Sequence, residues 1–250
     1  MHPYLSPAPP RVLAHRGGVP ALPENTLESF RAVLELGVTH LETDVRATSD
    51  GIAVLSHDAD LRRLTVRPDR IADMTFAELQ SVDLVGGASF VSLAAALAAF
   101  PRARFNIDVK AAAAALPTAA AVSHAGATER VLIASFSGRR RRAAAALLPG
   151  VATSASAGEI AAAVLLTGAG LSVFARRILR DVVAVQVPER MRGLRIVTPR
   201  FLRMAHAAST EVHVWTVNDR DSMIRFLELG VDGLVTDRAD LAIRLLASRS

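Results

Sequence analysis

Short runs of aliphatic and β-branched residues alternate with helical stretches along the whole chain, the order expected of βα units around a parallel sheet. Eight runs read as strands: Arg11–Ala14, Thr39–Arg46, Arg104–Lys110, Arg130–Ser135, Gly150–Ser154, Asp181–Val187, Glu211–Val217 and Asp232–Thr236. Between the first two, Asn25–Leu36 places Leu27, Phe30, Val33 and Leu34 on one helical stripe, and Asp221–Leu229 repeats the pattern until Gly230 stops it. The alanine-rich tracts at 111–122 and 143–148 also read as helices. The alternation predicts an α/β fold, a TIM-type (β/α)8 barrel, in a single domain spanning residues 1–250.

One segment breaks the rhythm. Residues 49–100 hold a short strand, Ile52–Leu55, then a polar loop and two short helices, which predicts an insertion after the second strand that folds over the barrel mouth. The longest apolar stretch, Ile160–Ala175, is interrupted by Thr167, Gly168, Gly170 and Ser172 and falls short of the ~20 residues of a spanning helix. A buried or surface-amphipathic helix is expected there. The opening residues, MHPYLSPAPPRVLAHRGG, lack a basic region followed by an apolar run, so no secretory signal is read and a cytoplasmic protein is expected.

Composition narrows the chemistry. With 51% hydrophobic and 21% charged residues, the 250-residue chain suits one globular core. It has no cysteine, which excludes disulfides, thiolate metal sites and a cysteine nucleophile. The net charge is +5, and Lys110 is the only lysine among 29 basic residues. The run Arg139–Arg142 has no interleaved aromatic residue, so a solvated helix face is expected there, not a nucleic-acid partner.

In a β/α barrel the side chains at the C-terminal strand ends converge on one mouth. The first strand ends in His15-Arg16-Gly17-Gly18, where Arg16 offers a planar charged fork for phosphate and the glycines allow close backbone approach to a ligand. Alternation along the second strand puts Glu42 and Asp44 on one face, and the third does the same for Asp108 and Lys110. Three carboxylates crowded into a desolvated mouth call for a compensating divalent cation; all-oxygen donors point to Mg²⁺ or Ca²⁺. A plain ion-pair network with Arg16 and Lys110 is the competing structural reading. His57 follows the inserted strand and can face His15, giving a pair for general acid/base work. Trp215 ends the seventh strand and is a candidate apolar wall at the mouth, or simply a large core residue. His2, His40, His124, His206 and His213 lack such settings; His40 should point inward in a deeper layer.

The ordered set HRGG (15–18), PENT (23–26), ETD (42–44), SDG (49–51), HD (57–58), DVK (108–110), SF (135–136), WTVN (215–218) and GVDGLVTD (230–237) resembles the glycerophosphodiester phosphodiesterase family over Val12–Asp240. The resemblance implies hydrolysis of small glycerophosphodiesters to sn-glycerol 3-phosphate and an alcohol. It implies Glu42, Asp44 and Asp108 as metal ligands, His15 and His57 as the acid/base pair, and Arg16 and Lys110 as phosphate-binding residues. The family usually has Glu where this chain has Asp108, and sphingomyelinase D-like relatives have Asp there. Two other functions fit the same residues: cleavage of lysophospholipid or sphingolipid diesters, with weak peripheral membrane contact through 160–175 and the arginine run, and non-catalytic phosphodiester binding.

Overall fold

The computed structural model describes residues 2–65, 67–84, 87–191 and 193–249, so residues 66, 85 and 86 of the 49–100 segment lie outside it. Its strands are β1 (Arg11–His15), β2 (His40–Ala47), β3 (Ala53–Leu55), β4 (Arg104–Val109), β5 (Val131–Ala134), β6 (Ala152–Thr153), β7 (Ala184–Pro188), β8 (Arg190–Met191), β9 (Leu194–Arg195), β10 (Glu211–Trp215) and β11 (Gly233–Thr236). The helices are α1 (Leu27–Glu35), α2 (Phe76–Gln80), α3 (Leu93–Ala99), α4 (Ala115–His124), α5 (Gly138–Ala145), α6 (Ala157–Gly168), α7 (Ser172–Leu179), α8 (Pro199–His206), α9 (Arg220–Leu229) and α10 (Ala239–Ala247).

Eight strands pair in the order β6-β5-β4-β2-β1-β11-β10-β7, each junction parallel. A parallel bridge from Ser154 to Ala184, with Val183 N–H donating to Thr153 O and Ala155 N–H to Ala184 O, brings β6 to β7 and closes the ring. The expected TIM-type barrel is therefore present. Antiparallel β3 pairs with β2 outside the ring, and β8 with β9 forms a hairpin that the sequence pattern did not foretell.

Strand alternation divides each barrel strand between two environments. Val12 and Ala14, Leu41 and Val45, and Phe105 and Ile107 join the main apolar core with the helices. Their neighbours Arg11, Leu13 and His15, then His40, Glu42 and Asp44, then Asn106 and Asp108, face the lumen. Register stacks Leu13 beside His40, His15 beside Glu42 and Asp44 beside Asp108. The lower lumen is sealed by Tyr4 and Leu5, which pack on Leu132, Ala134 and Ala184. His40 is fully buried there, with Nε2 2.9 Å from Tyr4 O and Nδ1 2.9 Å from Thr39 Oγ1, the deeper-layer position expected of it.

Local caps correct several boundaries. Helix α1 begins at Leu27, not Asn25: Thr26 accepts from the Ser29 N–H, while Asn25 is left-handed at φ 58° and donates to Arg16 O. The stretch 160–175 breaks into α6 and α7 at Gly170, whose φ of 86° only glycine adopts readily. No helix among the described residues is long and apolar enough to cross a membrane. Within 49–100, Val54, Leu61, Ile71, Leu79 and Phe90 form a small core of their own. Helix α3 instead packs Leu93, Ala96 and Leu97 into the main core and belongs to the barrel's helical layer.

The arginine run departs from expectation. Arg139 and Arg142 are exposed, but Arg141 is buried, donating to Ser154 O at 2.8 Å and pairing with Glu159 at 2.8 Å. Arg140 reaches Ser135 Oγ at 3.2 Å and the Lys110 carbonyl. Half of the run holds α5 against β4, β5 and α6 and is not a solvated face.

Candidate active site

The mouth holds a cavity of about 180 Å³ lined by His15, Arg16, Glu42, Asp44, His57, Asp108, Lys110 and Trp215, with Phe136, Gln186, Thr216 and Val235. All eight candidate residues named from the sequence thus meet around one space. They arrive from the ends of β1, β2, β4 and β10 and from the segment after β3, where parallel strands all point the same way.

Each histidine is held through Nδ1 by an aspartate. His15 Nδ1 lies 2.7 Å from Asp237 Oδ1, and Asn218 Nδ2 donates to Asp237 Oδ2 at 2.8 Å. His57 Nδ1 lies 2.8 Å from Asp58 Oδ1, whose other oxygen accepts from Arg63 Nε at 2.5 Å. Arg63 also forks onto Glu24 at 2.7 and 2.8 Å, and the Arg46 guanidinium donates twice to His57 O. An acceptor at Nδ1 fixes ring orientation and leaves Nε2 for chemistry.

Burial disfavours the charged imidazolium of His15, but the Asp237 hydrogen bond and the Glu42 carboxylate outweigh it and raise its pKa above the ordinary histidine value. Asp237 is held below the usual carboxylate range: burial works against this, and His15 and Asn218 prevail.

The carboxylates and cations form a ladder. Lys110 Nζ sits between Asp44 Oδ1, at 2.7 Å, and Asp108 Oδ2, at 2.6 Å. Burial would lower the Lys110 pKa, yet these two anions raise it. Arg16 Nε lies 2.9 Å from Asp44 Oδ2 and Arg16 Nη1 lies 3.5 Å from Glu24. Glu42 is buried beside Asp44, with Oε2 accepting from the Arg16 backbone N–H at 3.2 Å, and its carboxyl is pushed up to about 8. Among the described residues no group of three or more His, Cys, Asp or Glu side chains stands ready-made around a metal position; the Lys110 ammonium lies between two of the three carboxylates.

The HRGG glycines are also required for packing. A Cβ on Gly17, at φ 105°, would meet Ser29 Oγ at 2.2 Å, and one on Gly18, at φ 58°, would meet Thr236 O at 3.0 Å. They let the β1 turn pack on α1 and β11, which aims His15 and Arg16 into the cavity. Trp215 stands at the wall in an edge contact with Phe136, ring centroids 5.9 Å apart. Below them Asn106 and Gln186 exchange two hydrogen bonds of 3.0 and 3.1 Å across the lumen, forming a floor.

Asp237, Asn218, Glu24, Asp58 and Arg63 acquire roles that sequence reasoning did not assign. For the first four the signal was available in VTD, WTVN, PENT and HD, each at a strand or loop end facing the mouth. Arg63 lies in a polar loop with no motif to mark it.

Comparison with known proteins gives the family and the fold. A model of the Glycerophosphoryl diester phosphodiesterase family matches residues 15–241. A protein of Mycobacterium tuberculosis named "Probable glycerophosphodiester phosphodiesterase 2" is 41% identical over 239 residues, 95% of this chain and 90% of that protein. Among solved structures, a putative glycerophosphodiester phosphodiesterase from Galdieria sulphuraria superposes with a TM-score of 0.80 at 23% identity, covering 97% of this chain and 100% of the other. An Oleispira antarctica phosphodiesterase in complex with the product sn-glycerol-3-phosphate gives 0.76 at 22% identity, covering 96% and 97%.

Proposed function

The chain belongs to the glycerophosphodiester phosphodiesterase family, a family of phosphoric diester hydrolases, and on that footing we propose that it hydrolyses glycerophosphodiesters to sn-glycerol 3-phosphate and an alcohol. The observation that carries the reading is the pair of Asp-oriented histidines, His15 with Asp237 and His57 with Asp58, on one cavity with Arg16 and Lys110. Binding alone has no need of two imidazoles whose Nδ1 atoms are both engaged. The product named for the Oleispira neighbour supports the glycerol phosphate side of the assignment.

The carboxylate set suits a divalent cation. Asp108 Oδ1 is a buried oxygen without a hydrogen-bond partner, Asp44 Oδ2 faces only the Arg16 guanidinium, and burial beside Asp44 raises the Glu42 carboxyl, which a cation would return to the charged form. Glu42, Asp44 and Asp108 would hold Mg²⁺ or Ca²⁺ as hard oxygen donors. Bound, the ion supplies neutralisation of these carboxylates and polarisation of a phosphoryl oxygen. Asp108 is one methylene shorter than the glutamate usual in the family, and its 2.6 Å contact with Lys110 shows which cation it already serves.

The chain's own groups do the rest. Arg16 and Lys110 offset the charge that grows on the phosphoryl oxygens. One imidazole Nε2 takes a proton from the attacking hydroxyl as the new P–O bond forms. The other gives a proton to the alkoxide as the old P–O bond breaks. The test is turnover of purified protein on glycerophosphoethanolamine and glycerophosphocholine, with products identified by mass spectrometry. EDTA should abolish it and Mg²⁺ or Ca²⁺ restore it; activity unchanged by chelation removes the metal from the reading.

A further inference from the structure

The catalytic cavity opens on two sides, into a mostly apolar space and into a mixed one that carries charged groups. Toward β5–β7 lies a chamber of about 270 Å³ that shares Asp108, Phe136, Gln186 and Trp215 with the catalytic cavity. Its remaining wall includes Ala155, Ala157, Ile160 and Met191. Among the described residues the one charged side chain on this wall, Asp108, is paired through Oδ2 with Lys110, the Ser135 hydroxyl is turned away to donate to Val109 O, and Ser154 adds a second hydroxyl. Phe136 and Met191 also form an exposed apolar lip, 56% and 37% accessible. Toward β1 and β11 lies a space of about 330 Å³ that shares His15 and Arg16 with the catalytic cavity and adds Glu24 and Asp237 beside Val19, Pro20 and Leu22.

A phosphodiester anchored at Arg16 and Lys110 has one ester arm for each side. The glycerol arm, with two free hydroxyls, suits the side rich in charged hydrogen-bonding groups. The leaving alcohol is then directed to the apolar side, where the wall is mostly carbon and each buried methylene is favourable. We propose that the chamber is a leaving-group subsite for an aliphatic chain, so that the favoured substrates are glycerophosphodiesters of alkyl alcohols. This rests on the diester hydrolase reading and adds the class of alcohol released. The step balances as ordinary hydrolysis: water supplies the hydroxyl on phosphorus and the proton on the departing alkanol.

The experiment is kcat/KM on glycerophospho-ethanol, -butanol, -hexanol and -octanol below any micelle-forming concentration, with free alkanol quantified. A fully buried methylene is worth up to about fourfold, and a rise of about tenfold or more from ethyl to hexyl is expected. Met191→Asp at the lip and Ile160→Trp in the wall should flatten that rise while leaving turnover of the ethyl ester unchanged, which shows that both variants fold. A flat series in the wild type, or a gradient that both variants preserve, overturns the subsite. No turnover of any ester, the ethyl included, overturns the hydrolase reading beneath it and the proposal with it.

Discussion

His15 Nδ1 lies 2.7 Å from Asp237 Oδ1, although 222 positions separate the two residues along the chain. The first and last strands of the barrel are neighbours, and their parallel register, Ala14 against Thr236, places the two strand ends side by side. Closing the barrel therefore completes the His15 dyad. Replacing Asp237 by Asn should lower kcat about tenfold or more with the fold intact, because the ring loses its anchor and its anionic partner. It should also move the pH–rate limb governed by His15 to lower pH, since Asp237 helps to raise that pKa. A pH profile superimposable on the wild type would remove Asp237 from the catalytic unit.

Arg63 touches no atom of the cavity, yet it ties Asp58, the partner of His57, to Glu24 on the barrel. Its ion pairs are half exposed, 47% for the Arg63 side chain, so they add little stability. Arg63→Met should lower kcat several-fold while the thermal midpoint hardly moves. A parallel loss of both would mean that Arg63 only holds the inserted segment folded.

Glu42 dictates the sign of a pH effect on stability in metal-free protein. Its folded pKa of about 8 lies above the unfolded value of 4.5, so the native state binds the extra proton between these limits. Stability should fall as pH rises from about 5 to 8, and the raised His15 pKa acts in the same direction. Mg²⁺ or Ca²⁺ should flatten the decline by favouring the carboxylate. Thermal melts at pH 5.5 and 8, with EDTA and with metal, check both signs; rising stability with pH in EDTA would contradict them.

Gly17 carries a packing constraint that can be measured without substrate. Gly17→Ala drives a Cβ into Ser29 Oγ at a left-handed φ of 105°, and about 1–3 kcal/mol of destabilisation is expected. Gly37, also left-handed at φ 95° but with open space around its Cβ, is the control and should lose less. Urea denaturation of the two variants distinguishes crowding from backbone conformation.

Much of this was legible in the sequence because strand periodicity is rigid. Once Glu42, Asp44, Asp108 and Lys110 were assigned to strands, a period of two forced them onto one face, and parallel strands forced one mouth. The partners that orient the histidines were harder to see. Asp237 meets His15 only through closure of the ring, and Arg63 sits in a loop whose path depends on a small separate core around Leu61 and Ile71. The arginine run misled for a related reason: composition suggests a solvated face, whereas the helical turn carries Arg141 inward to Glu159. The HRGG glycines carry a packing demand against Ser29 and Thr236 that the motif alone did not reveal.

The central claim is that His15 and His57 exchange the protons of phosphodiester hydrolysis, and single-turnover rates of His15→Ala and His57→Ala test it most directly. With glycerophosphoethanolamine and metal present, each variant should retain its fold and its melting profile while losing roughly 10² to 10⁴ in rate. The double variant should lose little more than the worse single one, because the two act as a unit. Near-wild-type turnover in either single variant would contradict the account.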